Sequence, residues 1–346
     1  MFALHGRITP IFTGTLVAAL LAGVAPAQDE KPKDDTPLHR AKVEIEYVSK
    51  ESLGKGVTLA VMNNGLTVIV RENHAAPVAT VRSYVRNTGS AYEGPHFLGA
   101  GLSHVLEHLV SGGTNRKRKE SEIRAIIDSM GGRTNAYTSN DITGYYIDCP
   151  ASRVNETIEL IADSMQHVVF DNEEYARELG VVQRELEMGE ADRDRMMYHA
   201  MKRLIYTQHP TRHPTIGYMQ VLQGVSRQDI VDFYKARYIP QNIIFVVVGD
   251  VETDAVLAEV LENFKYFKRG IDAQPLLADE PEQASPRTTR IEMPGPTTKF
   301  SVAWPTVALQ HPDLYPLDVA SYLLTNGDSS RITKRLTVDE PLAVGV

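Results

Sequence analysis

Two histidines four residues apart, His104 and His108, enclose Glu107 in the run G-L-S-H-V-L-E-H-L-V at residues 101–110. On a helix, residues four apart stack on one face, and a residue three along falls beside them. Two imidazoles so placed can share one zinc ion, and the neighbouring carboxylate can take a proton from a water held there. The chemistry open to such a trio is the attack of water on a polarised carbonyl. The same spacing also suits a solvated helix with no metal, so the surroundings must decide.

Positioning the trio requires a folded scaffold, and the chain is suited to one. Its 346 residues exceed one ordinary core and suggest two domains. Hydrophobic residues at 42% and charged residues at 23% give a globular balance. A formal charge of −8 lacks the basic excess of a nucleic-acid binder. Val57 to Val70 reads as a hairpin turning at Asn64-Gly65, with a third strand over Val78 to Val85. Helical spacing covers Gly99 to Val110 and Ser121 to Met130, the second stopped by Gly131-Gly132. Strands are expected at Arg133–Tyr137, Thr143–Cys149 and Ile243–Val248, and long helices at 153–167 and 173–206. Ser226 opens a further helix, with Asp229 in a capping-box arrangement. The elements alternate without a regular βαβ rhythm. The expected class is α+β, a mixed or antiparallel sheet packed with helices on one face.

The N-terminus has the order of an export signal: Arg7, an apolar run from Ile11 to Val24, and Ala25-Pro26-Ala27 as a cleavage site. Residues 1–27 are therefore expected to be removed after Ala27, giving a periplasmic or secreted protein. The apolar run is shorter than the roughly 20 residues of a spanning helix, so no stable membrane span is expected. Residues 28–50 read as a flexible leader, 51–270 as the domain bearing the trio, 271–290 as a linker and 291–346 as part of a second domain. In that last part a strand is expected at Lys299–Trp304 and a helix at Leu314–Leu324. The chain stops at Val346 in what reads as a strand, as a fragment or an unusually early end would. Cys149 is the sole cysteine, which excludes an intramolecular disulfide, and it reads as a small buried hydrophobe. His209 and His213 also have metal-pair spacing, but Pro210 and Pro214 break any helix there, and a structural turn is expected.

The residues around the trio resemble the pitrilysin/insulinase family of zinc metallopeptidases, bacterial and processing-peptidase-like, in which the motif runs in the inverted order H-x-x-E-H. The likeness extends from about residue 57 to residue 346. It includes Asn64-Gly65-Leu66, Gly89-Ser90 with Glu93, Gly99, Gly113-Thr114, Gly131-Gly132 and Asn135-Ala136-Tyr137-Thr138 with Asp141 and Tyr145. It continues through His209-Pro210, Pro214, Gly217, Tyr238, Pro240 and Asn242. The resemblance implies a zinc-dependent endopeptidase acting on peptides or unfolded segments, with one Zn2+ per chain. It implies Glu185, in V-V-Q-R-E-L-E, as a third ligand beside His104 and His108, with Glu107 as the general base that takes and returns the proton. Glu178, two turns earlier on the same helix face, matches a carboxylate that orients the ligands. Glu187 and Glu190 fit less well and read as surface residues. Asn135 and Ala136 would contact a peptide added to their strand as an extra edge.

One part of the family pattern is missing. An arginine and a tyrosine seven residues apart usually help to hold the substrate carbonyl. Thr337 and Val344 stand at those positions, and Arg331 and Arg335 are off register. A related partner subunit supplying both donors is therefore expected, with this chain supplying zinc and residues 291–346 opening a second domain of the same family. Two alternatives stay open: a non-catalytic homologue acting as scaffold or peptide binder, and a purely structural His–Glu helix without metal.

Overall fold

The structure, a computed structural model, describes residues 44–271 and 275–346. The expected export segment 1–27 and most of the leader lie outside the described residues. Seven strands form one sheet: β1 (Tyr47–Gly54), β2 (Val57–Met62), β3 (Thr67–Glu72), β4 (Val78–Arg86), β5 (Arg133–Thr138), β6 (Ile142–Pro150) and β7 (Ile243–Gly249). Their spatial order is β1-β2-β3-β7-β4-β6-β5. Only β3 and β7 run parallel; every other neighbouring pair is antiparallel. The helices are α1 (Leu102–Val110), α2 (Glu120–Ser129), α3 (Val154–Gln166), α4 (Asn172–Ala191), α5 (Arg193–Ile205), α6 (Met219–Leu222), α7 (Arg227–Arg237), α8 (Thr253–Phe264), α9 (Leu314–Thr325) and α10 (Arg331–Lys334). The fold is α+β with a mixed sheet, as the pattern of elements implies.

A period of two decides which side of the sheet is covered. Along β4, Ala79, Val81, Ser83 and Val85 are buried, while Thr80, Arg82 and Tyr84 between them are half-buried. Along β7, Ile243, Phe245 and Val247 are buried in the same alternation. The buried face lies under α3 and α8, which pack on each other and on the central strands. Ile158, Ile161, Met165, Val260 and Phe264 fill that layer. Each such side chain withdrawn from water contributes about 1.5–3 kcal/mol. Cys149 is buried on β6 with no disulfide partner.

Three elements differ from the sequence reading. The leader expected to reach residue 50 gives way at Tyr47 to β1, an edge strand whose residues are mostly exposed. Lys50 and Glu51 break any apolar period there, as charges on edge strands commonly do. The single helix expected over 173–206 is two helices, broken at Asp192. That residue leaves helical geometry (φ −82°, ψ 112°), and its carboxylate accepts from the Asp194 and Arg195 amides at 2.9 and 3.1 Å, capping α5. The strand expected at Lys299–Trp304 is irregular chain, with Phe300 and Trp304 strongly exposed. A strand needs a hydrogen-bonding neighbour, and among the described residues none lies beside it. α9 forms where expected but buries none of its residues.

Within the segment 271–290, Glu280 fastens the chain to the end of α5. Its carboxylate accepts from the Thr207 amide (2.7 Å) and hydroxyl (2.6 Å), and from the Gln208 and His209 amides (2.8 and 3.0 Å). Partial desolvation opposes ionisation, but these donors outweigh it and bring the pKa down to about 2. A depressed carboxylate contributes stability that is complete above its ordinary pKa near 4.5 and lost as pH falls toward 2. Glu280→Gln is therefore expected to melt a few degrees below wild type at pH 5–7. Melting curves taken down to pH 2 should show that gap closing; a constant gap would remove the ionic origin.

Candidate metal centre

α1 is built to turn three side chains toward one cleft. Its apolar residues Leu102, Val105, Leu106, Leu109 and Val110 are buried, so His104, Glu107 and His108 share the opposite stripe. The two imidazoles stand edge to face, with ring centroids 4.8 Å apart. α4 crosses in front of them with Val182, Leu186 and Gly189 buried. That orientation brings Glu178 and Glu185, two turns apart, against the histidines.

Glu185 Oε2 lies 3.7 Å from His104 Nε2 and 3.8 Å from His108 Nε2. One ligand atom from each of the three residues falls within 4.8 Å of the others. These separations exceed a hydrogen bond but suit ligands around one ion, since a tetrahedron with bonds of about 2.1 Å has edges of about 3.4 Å. Two imidazole nitrogens and one carboxylate oxygen are a donor set suited to zinc, and three ligands leave a fourth position open. The group fits the residues present. No other cluster of this kind occurs among the described residues.

The protonation of His104 suits the same reading. Burial, with smaller contributions from His108 and Arg195, pulls the His104 pKa down to about 4, so its ring is neutral at neutral pH. Its Nδ1 is buried with no hydrogen-bond partner, and Nε2 faces Glu185. Burial also lowers His108, but the hydrogen bond from its Nδ1 to Glu178 Oε2 (3.2 Å) and the nearby Glu185 and Glu107 outweigh it. That bond fixes the tautomer that leaves His108 Nε2 turned to Glu185. Glu178 is held below the usual carboxylate range by His108 first and by Arg177, whose Nε donates to Glu178 Oε1 at 3.1 Å.

Glu107 is 8% exposed, and burial raises its pKa against a hydrogen bond from the Thr138 hydroxyl to its Oε2 at 2.7 Å. Thr138 ends β5, which forms the sheet edge beyond β6. Asn135 and Ala136, on the same strand, line a cleft of about 390 Å³ with His104, Glu107, His108 and Glu185. The trio and the four residues singled out around it, Glu185, Glu178, Asn135 and Ala136, thus line one cleft. Glu187 and Glu190 are exposed. His209 and His213 are not part of the site: His209 Nδ1 accepts from the Thr211 amide, and Pro210–Arg212 is a short turn.

Two further residues support the site in ways that the sequence alone does not assign. Thr138 was present in N-A-Y-T, and its two-residue spacing from Ala136 puts both on one strand face. Glu93 is 4% exposed, and its Oε1 accepts from the Ser103 amide at 2.9 Å. Burial pushes its pKa up to about 8 even though the Ser103, Gly101 and Ala100 backbone groups favour the charged form. The signal that could have found it is the absence of Ser, Thr, Asp or Asn ahead of α1, where the chain reads Gly99-Ala100-Gly101. The same loop explains distant glycines: a Cβ on Gly101 would meet the Ile216 carbonyl at 2.1 Å, and one on Gly217 would meet the Gly101 amide at 2.5 Å. The Tyr218 amide donates to the Gly99 carbonyl at 2.8 Å.

Comparison with known proteins gives a consistent set of likenesses. Residues 67–217 match the family described as insulinase (peptidase family M16), and residues 224–346 match the peptidase M16 inactive domain. The chain is 30% identical to the zinc protease PqqE of Helicobacter pylori over 249 residues, 70% of this chain and 56% of that protein. It is 26% identical to the uncharacterized zinc protease YmxG of Bacillus subtilis, covering 82% of this chain and 67% of that one. It is 27% identical to the probable mitochondrial-processing peptidase subunit beta of Arabidopsis thaliana, covering 80% of this chain and spanning 54% of that relative's length. The crystal structure of a protease from Helicobacter pylori superposes with a TM-score of 0.72 at 27% identity, over 87% of this chain and 71% of that one.

Proposed function

The chain belongs to the insulinase (M16) family of zinc metallopeptidases, and from that premise we propose an exported zinc-dependent endopeptidase that holds its metal on His104, His108 and Glu185 and uses Glu107 as general base. The observation that carries this reading is the approach of Glu185 Oε2 to within 3.8 Å of both imidazole Nε2 atoms, from a helix 77 residues beyond His108. One zinc per chain would supply a polarised water whose pKa is brought toward neutrality. Glu107 takes the proton of the attacking water on the oxygen not bonded to Thr138, and returns it to the leaving amine. Glu178 holds the His108 ring with Nε2 turned inward. β5, at the open sheet edge, accepts the peptide backbone as an added strand, with Asn135 and Ala136 as its contacts. Main-chain pairing of that kind suits peptides or unfolded segments over folded proteins.

Export rests on residues 1–27. Among the described residues, no helix is long and apolar enough to cross a membrane. The proposal includes a division of the chain at 271–290, with 291–346 as the opening of a second family domain. It also includes a related partner subunit that supplies an arginine and a tyrosine, because Thr337 and Val344 cannot donate as those residues would. Val344 is 96% exposed, and the Thr337 hydroxyl donates to the Thr333 carbonyl. The Arabidopsis relative is itself named as one subunit of a peptidase.

Metal analysis of the purified chain should give one zinc per chain, and chelation should lower its melting temperature, since binding to the folded state stabilises it by mass action. Absence of zinc together with an unchanged melt would end the metal reading. A non-catalytic homologue is the second reading, kept because residues 224–346 match a domain described as inactive. It predicts peptide binding without turnover whatever partner is added. The zinc-bearing chain is expected to cleave poorly alone, and vigorous cleavage by it alone would end the two-subunit part of the proposal.

A further inference from the structure

We propose that Glu93 is the positioning residue of the metal helix, holding the first turn of α1 so that His104 and His108 meet Glu185 at the required rotation. Its role depends on the zinc site proposed above. The first turn of any helix leaves four amides without partners inside the helix. α1 begins after Gly101, at φ 70°, where no side chain is available to cap it. The amides of His104 and Val105 both turn back to the Gly101 carbonyl, at 3.1 and 3.0 Å. The amide of Ser103, next to the first metal-facing histidine, is served by Glu93.

Glu93 is itself anchored to the strand that a substrate would join. It follows the short turn Ser90–Tyr92, whose Ser90 and Ala91 amides donate to the Ser139 and Asn140 carbonyls at 3.1 and 3.0 Å. Those carbonyls belong to the turn between β5 and β6, directly after Thr138. The approach is close enough that a Cβ on Gly89 would lie 2.2 Å from the Asn140 backbone. Glu93 therefore joins the helix carrying the histidines and Glu107 to the hairpin carrying Thr138, Asn135 and Ala136.

Leverage makes this contact matter. Side chains reach 5–6 Å from a helix axis, so a rotation of 10° moves a ring nitrogen by about 1 Å. A metal site tolerates errors of only about 0.5 Å. The glycine loop packed on residues 216–218 blocks translation of α1, and the Glu93 bond resists its rotation.

Two conservative variants separate reach from the acidic group itself. Glu93→Gln keeps an acceptor oxygen at the same distance; Glu93→Asp keeps the titratable carboxyl and withdraws the oxygen by about 1.5 Å. Zinc affinity would be measured by chelator competition, and site geometry by the visible spectrum of the Co2+-loaded chain. Glu93→Gln should stay within about threefold of wild type, whereas Glu93→Asp should bind zinc about tenfold more weakly with an altered cobalt spectrum, the lower end of what ligand-supporting groups contribute. Melting of the metal-free proteins provides the control, because a contribution to stability alone would lower both melts and leave the cobalt spectrum unchanged. Wild-type affinity and an unchanged spectrum in Glu93→Asp would overturn the assignment, as would equal losses in both variants. Failure of wild type to bind zinc would instead overturn the metal site, and the role of Glu93 with it.

Discussion

Glu107→Gln is expected to lower peptide cleavage by roughly 10²–10⁴-fold, the usual contribution of a positioned acid–base group, while the chain retains its zinc. The substitution is close to isosteric. A Gln carbonyl can still accept from Thr138 Oγ1, which lies 2.7 Å from Glu107 Oε2, so the packing of α1 against β5 should persist. What disappears is the ability to accept a proton and pass it on. The comparison belongs in whichever preparation cleaves peptide, with or without a partner subunit, and is to be read with metal content on the same samples. Cleavage at the wild-type rate would remove Glu107 from the role of base. Loss of zinc along with activity would instead mean that the carboxylate is needed to assemble the site.

The second large effect separates two glutamates on one helix. Glu185→Ala removes one of three proposed ligands. If the whole site is worth 10–16 kcal/mol, as structural zinc sites are, a third of it is about 3–5 kcal/mol. Zinc affinity should then fall by roughly 10²–10⁴-fold. Glu178→Ala removes a group that touches His108 Nδ1 and no metal position, and such orienting partners contribute roughly 10–100-fold. Competition titrations against a chelator should therefore rank Glu185→Ala well below Glu178→Ala. The reverse order would exchange the two roles. Arg177 supplies a further check, since it donates to both Glu178 and Glu120 and helps to keep Glu178 ionised.

What could be read from the residues alone followed the range of the interactions involved. His104, Glu107 and His108 lie within one helical turn, so their common face is a matter of local geometry. The central strands showed their period of two, and Asn64-Gly65 marked the hairpin between β2 and β3. Glu185 entered only through the family resemblance, because no local spacing connects a residue on α4 with one on α1. Thr138 and Glu93 act through hydrogen bonds between separate elements, which leave no periodic trace in the chain. β1 was missed because its stabilisation comes from pairing with β2 and not from an apolar face. The break at Asp192 was missed because the apolar period continues across it, while a single carboxylate settles the matter by capping α5.

The position of β7 has a consequence for how the chain acquires its shape. β3 and β4 are consecutive in sequence but never touch as neighbours; β7, from residues 243–249, is inserted between them. Until that keystone is synthesised and delivered, the chain can hold only two separate ribbons, β1-β2-β3 and β4-β6-β5. Closure then requires contacts spanning more than 150 residues, which makes for slow folding. Under the export proposed above, such late closure would keep the two ribbons from locking together before the chain reaches its destination.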